Sequence, residues 1–293
     1  MANNYRQRSG DRYDGRIIHT LSAYNKLIPF INKNRSDSQG FYEQSFEVEN
    51  ADAWLEQQRG NGYESMGMLH LFIAAYVRCV AALPAVNRFV SGRRIYARDS
   101  IDVVLPVSRG SGSHSQESEI KVEYEPTDTV FDVYNKTRRA LDKFYSSENV
   151  DRAEELAEKI AKFPRFLVRF IVWLLNAADF LGLLPKKILD ASPFHGSIRI
   201  SDLGALGIGP MRRSISNFGN LPFSLTLGAR RKRFEINERG AAVERQYIDA
   251  SFVIDKRTTD DRYYAKAFRY MEKLISNPEQ LEIPPEVVKE DIF

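Results

Sequence analysis

Apolar residues recur along this chain at two spacings, which divide it into helices and strands. Between 66 and 83, Leu69, Ile73, Val77, Val80 and Ala81 lie on one face of a helix that Pro84 stops. Val130, Val133, Tyr134, Thr137, Leu141 and Phe144 predict a second helix over 128–146. Ile17, Leu21, Tyr24, Leu27 and Ile28 predict another over 16–30, ended or bent by Pro29. A short helix over 49–59 should turn Trp54 and Leu55 inward, and a polar helix is expected over 151–162. The last helix, 259–276, carries Asp260 and Asp261 in its first turn, where carboxylates suit the helix dipole. Strand patterns fall at 41–48, 101–107, 120–124, 198–203, 223–227 and 246–254. Gly92 between two short apolar runs predicts a hairpin, and the Gly- and Ser-rich stretch 109–118 an exposed loop. Helices and strands interleave without a repeat or a Pro/Gly linker, so a layered α/β domain is expected over 13–281. A flexible N-terminal tail is expected at 1–12 and a C-terminal tail at 282–293.

The run 163–184 is the most apolar part of the chain. Arg165, Arg169 and Asp179 interrupt it, so its uncharged stretch falls well short of the roughly 20 residues a membrane span needs. With Asn176 these residues form one polar stripe, which predicts an amphipathic helix with a wide apolar face. Packing in the core or at a subunit interface is the expectation, and lining an acyl-chain pocket is the second reading. Membrane-surface contact through 163–184 is not expected.

Charge and cysteine content narrow the classes. Among 293 residues, 42 are basic and 39 acidic, a near balance that argues against a nucleic-acid binder. The single cysteine, Cys79, cannot form an internal disulfide or a cysteine-based zinc site, and its apolar neighbours predict a buried thiol. The polar N-terminus has no secretory pattern, so a cytoplasmic protein is expected. His19, His70, His114 and His195 lack metal-ligand spacing, and no metal is expected. His70 reads as structural, His114 as solvated, and His195 as stabilising a turn or serving a loop function. The glycines of 204–209 follow neither phosphate-loop nor dinucleotide order and mark a close backbone approach. Arg230, Arg231, Lys232 and Arg233 read as a solvated hairpin turn or as a phosphate contact. Residue chemistry alone assembles no complete catalytic set.

Three segments carry a resemblance. Ala81-Ala82-Leu83-Pro84-Ala85-Val86-Asn87 leads through the hairpin into the strand 101–107. Ile198-Arg199-Ile200-Ser201-Asp202-Leu203-Gly204 follows, and then Ala250-Ser251-Phe252-Val253-Ile254-Asp255-Lys256-Arg257-Thr258-Thr259-Asp260-Asp261, a helix and Asn277-Pro278. In this order, over 16–281, they resemble the catalytic domain of 2-oxo acid dehydrogenase acyltransferases, relatives of chloramphenicol acetyltransferase. The resemblance implies an α/β, coenzyme-A-dependent acyltransferase-like fold: a mixed sheet flanked by helices, assembled as a homotrimer with active sites between subunits. It implies coenzyme A or acyl-CoA, a small-molecule acyl thioester, as substrate. A histidine takes the thiol proton, the thiolate attacks a thioester carbonyl, and a serine donates to the developing oxyanion.

Carried over by position, Ser201 is the serine and Asp260 the structural aspartate, with Arg16 as its expected partner. Lys256 stands where the histidine belongs, and Asp261 where the motif has glycine. A lysine normally titrates near about 10.4 and is charged at neutral pH. The run Arg230–Arg233 could then meet the 3′-phosphate of coenzyme A. No Asp-Lys-Ala hairpin is present, so no lipoyl group is expected on this chain. Two functions stay open: an acyltransferase with altered catalytic groups, and a catalytically inactive relative that binds coenzyme A, an acyl chain or a protein partner.

Overall fold

The computed structural model describes residues 10–109, 116–146, 162–236 and 240–291. In chain order its first elements are β1 (Gly15–Ile17), α1 (Ala23–Ile31), β2 (Gln39–Glu47), α2 (Glu49–Gly60), α3 (Met68–Ala82), β3 (Arg88–Ser91) and β4 (Arg94–Arg98). They are followed by β5 (Ile101–Arg109), β6 (Gln116–Tyr124), α4 (Val130–Ser146), α5 (Arg165–Phe180) and α6 (Lys186–Ala191). The last are β7 (Ile198–Asp202), β8 (Phe223–Ile236), β9 (Ala242–Asp255) and α7 (Asp261–Ser276).

α3 organises the layers, because it is apolar on nearly every side and must therefore be covered on every side. Phe72, Ile73, Tyr76, Val77 and Cys79 are buried among α4, α7 and one face of a six-stranded sheet. The sheet order is β2-β9-β8-β7-β5-β6, with β5, β7 and β8 parallel and the other pairings antiparallel. Strand side chains alternate between faces, so Ile198, Ile200, Leu225, Phe252 and Ile254 enter the helical core. A smaller sheet, β1-β4-β3, stands beside it. Its hairpin turns at Gly92 and Arg93, both in the left-handed region.

The expected helices at 66–83, 128–146 and 259–276 are present with shifted ends. The helix expected from 16 begins only at Ala23, because Gly15–Ile17 pairs with Arg98–Tyr96 as a strand. Both tails make contacts where described. Arg12 is buried, and Arg88 holds Asp291 by two bonds of 2.7 and 2.6 Å. α5 is not in the core: Asp179 is its one buried residue. The helix expected over 151–162, all but Lys162, lies outside the described residues, as does His114.

One polar cluster joins the smaller sheet to α5 and to the chain between β7 and β8. Arg12 donates to Asp14 at 2.9 Å, to Ser91 at 2.8 Å and to Asp179 Oδ1 at 2.8 Å. Arg98 donates to Asn220 Oδ1 at 2.9 Å and stacks 4.3 Å over the Phe89 ring. Burial would raise the pKa of Asp14, but Arg98 and Arg12 hold it below the ordinary carboxylate value. Burial acts the same way on Asp179, where His195 and Arg12 reverse it.

A depressed folded-state pKa gives stability that is present above the unfolded value, about 3.9, and lost as pH falls through the folded value. The urea midpoint should therefore drop as the pH is lowered from about 4. Asp14→Asn should cost about 3–5 kcal/mol at neutral pH, since it strips buried guanidiniums of a partner, and should flatten that acid limb. An unchanged acid limb in the variant would contradict the assignment.

Candidate active site

The sheet face turned away from the helices carries hydroxyls. Register places Ser201 of β7 beside Thr226 of β8, and Thr226 beside Ser251 of β9. Ser224 lies on the same face two residues along β8. All four are buried, Ser201 to 2% exposure. Yet the hydroxyls of Ser201, Ser224 and Ser251 have no hydrogen-bond partner among the described residues. The chain between β7 and β8 crosses this face, with Ile215 and Leu221 packed on Val104 and Val253. Of the glycines in 204–209 only Gly204 marks a close approach, since Gly207 and Gly209 face open space; Gly228 of β8 is a second close approach. A Cβ on Gly204 would sit 2.9 Å from Asp202 Oδ1, and one on Gly228 would sit 2.5 Å from Pro210 Cδ.

β9 ends in a buried ion cluster. Asp255, 1% exposed, accepts from Arg257 Nε at 2.8 Å, from Arg257 Nη2 at 2.7 Å and from Arg35 Nε at 3.3 Å. Arg35 also donates to the carbonyls of Ser216 at 2.6 Å and Gly219 at 2.8 Å. Arg257 reaches the carbonyls of Asn32 and Lys33, both at 3.3 Å. Lys256 points the other way: it is exposed, and its ammonium lies 3.1 Å from Asp261. Asp260 is exposed and caps α7 by accepting from the Tyr263 amide at 2.8 Å.

The expected Arg16–Asp260 bridge gives way to a different pairing. Arg16 belongs to β1 in the smaller sheet, where its Nε meets Asp99 at 2.8 Å. The buried arginine–aspartate pair of this motif is Arg35 with Asp255. Arg35 carried no sequence signal, since it stands in a polar run outside any periodic element. Ser201 and Asp255 share a sheet face but are two strands and four residues apart, about 16 Å. Ser201 and Lys256 therefore do not meet within one chain.

No model of a protein family matches this sequence, and no curated protein matches it. Solved structures do match in shape. The cubic core of the pyruvate dehydrogenase multienzyme complex is 14% identical with a TM-score of 0.55, covering 94% of both chains. A probable dihydrolipoamide acetyltransferase from Listeria monocytogenes is 14% identical with a TM-score of 0.54, covering 93% of this chain and 97% of its own. A chloramphenicol acetyltransferase is 14% identical with a TM-score of 0.53, covering 89% of this chain and 99% of its own. The chain has the fold of the coenzyme-A-dependent acyltransferases. In this acyltransferase fold the Ser201 strand lies inside the sheet, between β5 and β8, and Asp255 ends the strand next to the β2 edge.

The remaining candidates settle around these positions. Arg230–Arg233 lies within β8 rather than at a turn, and three of its cations face protein carboxylates. Arg230 pairs with Asp52 at 2.7 Å, Lys232 with Glu244 at 2.7 Å, and Arg231 with Asp249. That arrangement argues against a free phosphate contact. Cys79 is a buried thiol, as expected, and burial pushes its pKa up to about 12. Burial lowers His70 to about 4, and its Nδ1 accepts from the Gly67 amide at 3.1 Å, a structural cap on α3. His195 is buried, its Nδ1 2.8 Å from Ser192 Oγ and its Nε2 3.3 Å from Asp179. Among the described residues no group of three or more His, Cys, Asp or Glu side chains is placed to hold a metal ion.

Asp255→Asn should destabilise the protein by about 3–5 kcal/mol, because two buried guanidiniums lose their charge partner. Lys256→Ala, at an exposed position, should stay within about 0.5 kcal/mol of the parent. Urea unfolding followed by circular dichroism measures both, and equal effects would refute the division of roles.

Proposed function

We propose that this chain is a coenzyme-A-dependent acyltransferase-like protein that binds an acyl thioester and has lost the step that removes the thiol proton. The observation that carries this reading is Lys256: at the motif position stands an ammonium turned to water and paired with Asp261. An ammonium has no lone pair with which to accept a proton. The electrostatic half of the chemistry is retained. The unpartnered Ser201 hydroxyl is free to donate to the oxygen that becomes negative when a thiolate adds to the thioester carbonyl.

The site is completed between copies. Within one chain the serine and the 255–261 turn are too far apart for one thioester, so a homotrimer that brings one copy's turn to another copy's Ser201 fits the reading. Coenzyme A or its acyl ester is the substrate, and neither a metal nor a lipoyl group on this chain takes part. The chain between β7 and β8 must shift for a carbonyl to reach Ser201. No described helix is long and apolar enough to cross a membrane, and we assign the cytoplasm as its compartment. The burial of Ser201 favours a second reading, a non-catalytic relative that presents the fold to a protein partner.

Losing a general base costs about 10²- to 10⁴-fold in rate. Lys256→His should recover about 10²-fold or more in acetyl transfer from acetyl-CoA to a thiol acceptor, and adding Ser201→Ala should abolish the gain. No gain in a folded variant sinks the reading. Isothermal titration of the parent with coenzyme A separates the alternatives: heat at millimolar ligand supports thioester binding, and none supports the protein-interaction module.

A further inference from the structure

Among the described helices, α5 carries the most exposed large apolar side chains. Phe166, Phe170, Trp173 and Phe180 follow one another at helical spacing along one side, 76%, 54%, 60% and 50% exposed. The Phe170 and Trp173 rings stack 5.9 Å apart. Leu167, Val168, Ile171 and Leu175, on the opposite side, are half-buried. Arg165 and Arg169 run beside the aromatic stripe. Leu181 and Leu183 continue the exposed apolar surface beyond the helix end.

Charge identifies the partner. From Lys162 to Lys187 the exposed charged residues are Lys162, Arg165, Arg169, Lys186 and Lys187, all basic. The one acid in this stretch, Asp179, is buried against Arg12 and His195. A second apolar and basic surface adjoins the end of α5. Tyr24, Leu27, Phe30 and Ile31 of α1 are exposed with Lys26 and Lys33. The hairpin turn links the two, with Gly92 against the Phe180 carbonyl and Arg93 5.9 Å from the Phe30 ring. Exposed aromatic rings bordered chiefly by cations, with Asp190 the next exposed acid along the chain, match the boundary between acyl chains and anionic headgroups.

We propose that α5 lies flat on an anionic lipid surface, with Phe166, Phe170, Trp173 and Phe180 at the headgroup boundary and Arg165 and Arg169 on phosphates. The proposal is independent of the reading of Ser201 and Lys256.

The test uses the full chain with vesicles of phosphatidylcholine containing about one third phosphatidylglycerol, and with phosphatidylcholine alone. The protein should float with the anionic vesicles and not with the neutral ones. Trp173 emission should shift to the blue on binding, while the buried Trp54 stays constant in a Trp173→Phe control. R165Q/R169Q alters exposed residues only and should weaken binding about 25-fold, near fivefold per cation. Flotation with neither vesicle, or equally with both, overturns the proposal. So does a Trp173 already shielded from acrylamide in lipid-free protein, because protein then covers the face.

Discussion

One buried carboxylate decides the shape of the motif turn. Asp255 sits between Arg257 and Arg35, and a single anion satisfies two guanidiniums that water cannot reach. Removing such charges from water costs several kcal/mol per ion, so the cluster holds only while all three members stay in contact. Their contact ties the end of β9 to the 32–35 segment and, through Arg35, to the carbonyls of Ser216 and Gly219. Strand alternation then turns the next residue, Lys256, to the opposite side. The chemistry available at the motif position follows from an ion cluster one residue away.

Local pattern sufficed where local forces decide. α3 and α4 bury stripes that repeat at helical spacing, and the β3–β4 turn needed only Gly92 in the left-handed region. Pattern misled at Ile17, whose spacing fits the α1 helix but whose backbone is held by Tyr96 across a sheet. β8 and β9 run past the apolar stretches that betray them. Beyond the core, diagonal ion pairs across the two strands, Lys232 with Glu244 and Arg231 with Asp249, help to hold the ladder. The strand that carries Ser201 was legible because its short apolar alternation shows in the sequence. Arg35 was not, because the carboxylate it serves lies 220 positions away.

The hydroxyl face is costly by stability alone. Each buried hydroxyl without a partner forfeits roughly 1–3 kcal/mol relative to one that is satisfied. Ser201, Ser224 and Ser251 could all be small apolar residues at no loss of packing volume worth naming. β7, β8 and β9 are interior strands, so the three hydroxyls are held in fixed positions in the sheet.

α5 is pinned through Asp179, in its final turn, to Arg12 and His195. A 16-residue helix is about 24 Å long, so a tilt of about 10° at that pivot carries its first turn through about 4 Å. Its one buried residue is thus also its ionic anchor, placed at one end. Anything that moved its first turn would act on the Arg12–Asp179 pair through a lever of that length.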